Sequence, residues 1–133
     1  MTFITPLLMR WDPMEFKTTG LTEAEDYYKQ LHLTSDQRRK VRLVSKLATN
    51  YIPMSEHAMC GFAFRALKEY QVDNKIELSA FESMSAEAKV EMLTDVMNRV
   101  KNQLLKILIK PEQAPTIDKA IVNLLDFYKK NLV

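Results

Sequence analysis

Apolar positions recur at three- and four-residue intervals along most of this chain, and those intervals predict helices. The pattern is strongest over residues 35–51, SDQRRKVRLVSKLATNY. At about 100° per residue, Val41, Leu43, Val44, Leu47, Ala48 and Tyr51 gather on one arc, with Arg38, Arg39, Arg42 and Lys46 on the opposite one. One arc requires a core; the other suits an anion.

The same reading extends in both directions. A first helix is expected from Thr22, where Thr22 and Glu25 have the spacing of a capping box, to about His32. Thr34 and Gln37 repeat that spacing ahead of the basic helix, which Pro53 ends. Ser55 caps a third helix reaching about Tyr70, with Ala58, Met59, Phe62, Ala63, Ala66, Leu67 and Tyr70 in register and Glu56, Arg65, Lys68 and Glu69 facing out. Asp73 and Asn74 mark a turn, and residues 77–82 suit a brief helical turn. The longest helix is expected over 85–110, stopped by Pro111, with a narrow seam of Leu93, Val96, Met97, Val100, Leu104, Ile107 and Leu108. After a breaker at 112–115, a last helix from Thr116 carries Ile117, Ala120, Ile121, Leu124, Leu125 and Tyr128. Lys129 and Lys130 at its end favour the negative pole of the helix dipole.

Residues 1–20 break the pattern. Pro6, Pro13 and the Thr18-Thr19-Gly20 turn signal make an irregular arm with the apolar anchors Phe3, Ile4, Leu7, Leu8, Trp11 and Phe16. Such an arm packs along its own bundle or docks on a partner chain, in which case Trp11 and Phe16 are the partner-binding residues. The expected architecture is an all-α, irregular bundle of about five helices: one domain over 1–133, with the arm at 1–20 and the bundle at 22–133.

Composition agrees. A chain of 133 residues can bury a core without metals or disulfides, and 47% hydrophobic with 27% charged residues is a globular balance. Only two glycines, Gly20 and Gly61, argue against a β-rich fold with its many tight turns. The single cysteine, Cys60, excludes an internal disulfide framework and fits the cytoplasm. The apolar start is too interrupted for a signal peptide, and residues 104–109, broken by Lys106, are far short of the roughly 20 apolar residues a membrane span needs.

A net charge of +2 is too mild to argue for nucleic acid by itself, so the argument rests on clustering. Residues 37–51 contain no carboxylate, and four cations on one arc can track a phosphate backbone, releasing counterions as they do. The plain alternative is a solvated helix face. Arg65 and Lys68 on the third helix, and Arg99, Lys101 and Lys106 on the longest, extend that face if their helices adjoin it. His57 and Cys60 have a ligand-compatible spacing, but zinc needs about four ligands and the only other histidine is His32; no metal or cofactor is expected. With no phosphate loop, nucleophile elbow or metalloprotease motif, the expectation is a non-enzymatic protein. Gly61 within a helix points to close helix packing.

A small, all-helical, cofactor-free chain with a carboxylate-free basic helix and a proline-interrupted start resembles the small subunit of Cascade-type CRISPR effector complexes. That resemblance implies a helical bundle repeated along a ribonucleoprotein, often the product of an internal start like the arm opening at Met1. Its partners would be the guide RNA–target DNA backbone or the displaced strand, the other protein subunits and further copies of itself. Arg38, Arg39, Arg42 and Lys46, with Arg65 and Lys68, would contact the nucleic-acid backbone without reading sequence. A second reading is a protein–protein adaptor or inhibitor using the apolar arm and a helical groove.

Overall fold

The helix whose first half is buried on nearly every side is the one that three others pack against. The computed structural model describes residues 14–77 and 83–131, and among these the protein is all-α, with five α-helices. They are α1 (Thr18–Gln30), α2 (Ser35–Thr49), α3 (Glu56–Asn74), α4 (Ala86–Ile107) and α5 (Ala114–Asn131), with a 3-10 turn at Pro111–Gln113. Along α3 every residue from Ala58 to Phe64 is buried, the mark of a helix enclosed on several sides. α1, α2 and α4 all pack on it, and α5 packs on α4 and touches α2.

Caps explain most of the boundaries. Thr34 Oγ1 accepts from the Gln37 amide while the Gln37 side chain accepts from the Thr34 amide, so the expected capping box forms at the start of α2. Ser55 and Ser85 accept from the amides of Ala58 and Ala88. α3 runs one turn beyond Tyr70 and ends with Lys75 in the left-handed region, φ 54°, where the Ile76 amide donates to the Gln71 carbonyl.

Three expected boundaries are corrected. α1 begins at Thr18, not Thr22: Gly20 is not a turn residue but lies in the first helical turn against Ile107, where an added Cβ would sit 2.5 Å from Ile107 Cγ2. α4 ends at Ile107, short of Pro111, because the following residues leave the helix to pair with the arm. Phe16 and Leu108 form an antiparallel bridge, with the Lys17 amide donating to Ile107 O (2.8 Å) and the Ile109 amide to Glu15 O (2.9 Å). Buried Gln113 adds its Oε1 as acceptor for the Glu15 amide. α5 starts before Thr116, since Pro115 sits in a first helical turn, where its missing amide is no loss.

Two apolar clusters result. The larger joins all five helices and Phe16, centred on Ile52, Met59, Met97, Val100, Leu104, Ile117 and Leu124. The smaller, Tyr28, Val41, Cys60 and Phe64, lies between α1, α2 and α3 with Tyr27, Leu31 and Leu33 around it. Gly61 lets α1 approach closely: a Cβ there would stand 2.2 Å from the Ala24 carbonyl oxygen. Close helix packing is what this glycine provides. Of the expected elements, the turn over 77–82, apart from Glu77, and the arm residues before Met14, including Trp11, lie outside the described residues.

Candidate anion-binding groove

The outward arc of α2 forms one wall of an open groove of about 800 Å³, lined by Ser35, Arg38, Arg39, Arg42, Leu43 and Lys46 on α2, Tyr28 on α1, and Glu56 and His57 on the first turn of α3. The helix period places these α2 residues together, and the Thr34 cap fixes where that period starts. The four expected cations are thus brought to one site, against one lining carboxylate, Glu56.

The four have different duties. Arg38 is half-buried: its Nη2 donates to Leu31 O (2.8 Å) and its guanidinium lies 5.3 Å from the Tyr28 ring centre, so it ties α2 to the end of α1. Arg39 pairs with Asp36 (2.6 Å), and Arg42 Nε donates to Glu56 Oε1 (3.2 Å). Both are well exposed, so these pairs are solvated and weak. Hydrogen bonds from Lys40 and then Arg39 hold the Asp36 carboxyl below its ordinary value, and the Glu56 hydrogen bond raises Arg42. Lys46 is exposed. The carboxylates missing from residues 37–51 are therefore supplied partly through space, by Asp36 one turn earlier and Glu56 on the neighbouring helix.

Beneath the groove the chemistry is sealed. Burial pushes the Cys60 thiol and the Tyr28 hydroxyl above their ordinary values, and the buried Tyr28 hydroxyl has no hydrogen-bond partner among the described residues. Ser45 Oγ, fully buried, donates to Val41 O (2.8 Å). Cys60 is 1% exposed while His57, one turn earlier, faces solvent, so the two do not converge on one ion. Among the described residues no three His, Cys, Asp or Glu side chains are grouped to hold a metal.

The remaining expected site residues lie elsewhere. Arg65 stacks over Tyr27, 4.6 Å from its centre, and Lys68 is exposed further along α3; neither lines the groove. Arg99 is bound by Asp95, Asp73 and Glu69, clamping α4 to the end of α3, and Lys101 pairs with Asp118. Arg99 and Lys106 line a separate polar groove with Asn98, Asn102 and Gln103, so they do not extend the basic face. The partner role expected for Phe16 is corrected: it is 7% exposed, in the core, because the bridge to Leu108 turns it inward. Tyr28, Leu43, Glu56 and His57 were missed as site residues. The period that put Leu43 on the apolar arc misleads, since Leu43 is 66% exposed at the edge of that arc. His57 carried a signal only as a ligand, and its place here depends on how α3 crosses α2.

No family model, no curated protein and no solved structure matches this chain.

Proposed function

We propose that this protein is a non-enzymatic helical subunit that holds a nucleic-acid backbone in the α2 groove as part of a larger ribonucleoprotein. The observation that supports it is the convergence of Arg38, Arg39, Arg42 and Lys46 on one open groove, three of them exposed. Arg39, Arg42 and Lys46 form a stripe at intervals of three and four residues, spanning about 10 Å along the helix. That is room for about two phosphates of one strand, each contact releasing counterions.

The resemblance to Cascade-type small subunits supplies the setting: a cytoplasmic effector complex in which the groove steadies the guide RNA–target duplex or the displaced strand beside other subunits and further copies of this chain. Three exposed cations, two with carboxylate partners, make a weak site alone and an effective one when neighbouring subunits add theirs. Arg65 and Lys68, off the groove, would then serve a second contact of the same strand or a neighbouring subunit. Among the described residues no helix is long and apolar enough to cross a membrane.

The test is a tagged purification from the native host across a salt series, with particle mass and extracted nucleic acid measured at each step. The expected result is a large particle holding a uniform short RNA, from which this chain and its R39E/R42E variant dissociate at different salt, the variant earlier. A small complex of one further protein without nucleic acid would overturn the proposal in favour of an adaptor.

A further inference from the structure

α4 is the longest helix, and three of its sides are occupied. Met92, Leu93, Val96, Met97, Val100 and Leu104 face the core. On one flank Arg99 pairs with Asp73 of α3 (2.7 Å) and Gln103 Nε2 donates to Phe62 O of α3 (3.1 Å). On the other, Lys101 pairs with Asp118 of α5 (3.2 Å). The side opposite the core carries Glu91, Asp95, Asn98, Asn102, Leu105 and Lys106 within an arc of about 100°. All but half-buried Asp95 are exposed.

Two features of this side are out of keeping with a plain solvated face. Asparagine is a poorer helix former than lysine, glutamate or glutamine, because its short amide competes for backbone hydrogen bonds, yet Asn98 and Asn102 stand one turn apart at the exposed middle. The charges are also segregated along the axis: Glu91 and Lys106 are about 22 Å apart, too far to meet within one chain. Among the described residues neither has an ion-pair partner. Apolar surface adjoins them, with Leu105 39% exposed and Val122, one turn along α5 from Asp118, 55% exposed.

We infer that this side of α4 binds a second copy of the chain, the two α4 helices lying antiparallel about a two-fold axis at residues 98–99. That operation sets Glu91 of each copy against Lys106 of the other, and Asn102 of each against Asp95 of the other. The two pairs share one midpoint, so a single axis satisfies both. Asp95 keeps acceptor capacity beyond its bond to Arg99, and the Asn102 amide supplies donors. A parallel copy would instead put Glu91 on Glu91 and Lys106 on Lys106. Self-complementarity in the antiparallel sense is what a closed two-fold pair requires. The open groove of about 810 Å³ that Glu91, Asp95, Asn98, Asn102 and Lys106 help to line gives the second helix its seat. It shares no residue with the α2 groove, so the pairing stands apart from nucleic-acid binding.

The test is sedimentation equilibrium of the full chain over a range of concentrations at low salt. The expected result is a reversible rise from 15.5 kDa to twice that mass and no further. Glu91→Lys and Lys106→Glu each turn two attractive pairs into repulsive ones and should weaken pairing about tenfold. Together, E91K/K106E should restore it. Restoration is the signature of contact between copies, because the two positions cannot reach each other in one copy. Both side chains are exposed, so circular dichroism melts of the dilute variants should match the parent. A chain that stays at 15.5 kDa at millimolar concentration, or a mass that keeps rising beyond a pair, would overturn the inference. So would a pair that the single changes leave intact or that the double change fails to restore.

Discussion

Gly61→Ala separates local propensity from tertiary contact because the two have opposite signs. In an isolated helix, alanine in place of glycine stabilises by about 1 kcal/mol. Here the new Cβ would stand 2.2 Å from Ala24 O, 2.7 Å from Ala24 C and 3.1 Å from Ala24 Cα. All three are backbone atoms that no rotamer change can move, and a Cβ needs more than 3.0 Å. α1 must retreat by roughly 1 Å, loosening Ala24 and Tyr28, which are 1% and 4% exposed. Overpacking of this kind costs about 1–3 kcal/mol, occasionally more, and a backbone collision belongs at the upper end. After the propensity gain, a net loss of about 2 kcal/mol is expected. With an unfolding entropy of about 2.1 cal/mol/K per residue, that loss lowers the thermal midpoint by roughly 7 °C. Urea unfolding followed by far-UV circular dichroism should show a lower midpoint at unchanged slope. A variant as stable as the parent, or more so, would refute the packing argument. Gly20→Ala is the internal control, because its Cβ meets the movable Ile107 side chain and should cost less.

Further outcomes follow from the caps, the groove and the buried thiol. Lys75→Gly removes a left-handed strain of about 1–2 kcal/mol and adds unfolded-state entropy of about 0.4–1 kcal/mol, so the urea midpoint should rise by several tenths of a kcal/mol in stability. Glu56→Gln frees Arg42 and should tighten binding of a labelled oligouridylate while changing stability by less than about 1 kcal/mol; weaker binding would mean that the pair orders the site. The slope of log affinity against log salt for a single strand should lie near −1.4 if the stripe of Arg39, Arg42 and Lys46 meets about two phosphates at about 0.7 ions released per contact. Cys60, Tyr28 and Tyr128 all have raised values through burial, so the unfolded chain gives up their protons first as pH rises. These three groups leave stability unaffected near neutral pH and make it fall above about pH 8.5, whereas lowered Asp36 acts only in the acid range. In Cys60→Ala the early part of that fall should disappear, as measured by urea midpoints at each pH.

Much of this fold was legible because caps and periods are local. Thr34, Ser55 and Ser85 mark starts by accepting from amides three residues on, a bond that needs no distant partner. Boundaries failed where a distant segment outcompeted the local signal: Leu108 fits the period of α4 but, with Ile109, pairs with Phe16 and Glu15 instead. Thr22 and Glu25 have the spacing of a capping box, yet Thr22 lies inside α1 and Glu25 accepts from Ser55 Oγ (2.6 Å). The candidate groove was half legible. The α2 cations share a face by helix geometry alone, whereas Glu56, His57 and Tyr28 join them only through the crossing of three helices, which no period records. Arg65 and Lys68 carry the same charge as Arg42, but the α3 face they occupy lies beyond the groove.

The bridge between Phe16 and Leu108 bears on the order in which the molecule assembles. It closes a span of some ninety residues, and closing a loop costs entropy that grows with the logarithm of its length before any contact offsets it. During synthesis the residues that pair with the arm emerge after α1, α2, α3 and nearly all of α4, so the start of α1 waits, with Phe16 uncovered, until the ribosome has passed residue 109. Folding should therefore finish at the beginning of the chain, and hydrogen exchange on the Lys17 and Ile109 amides should report the last step to close and the first to open.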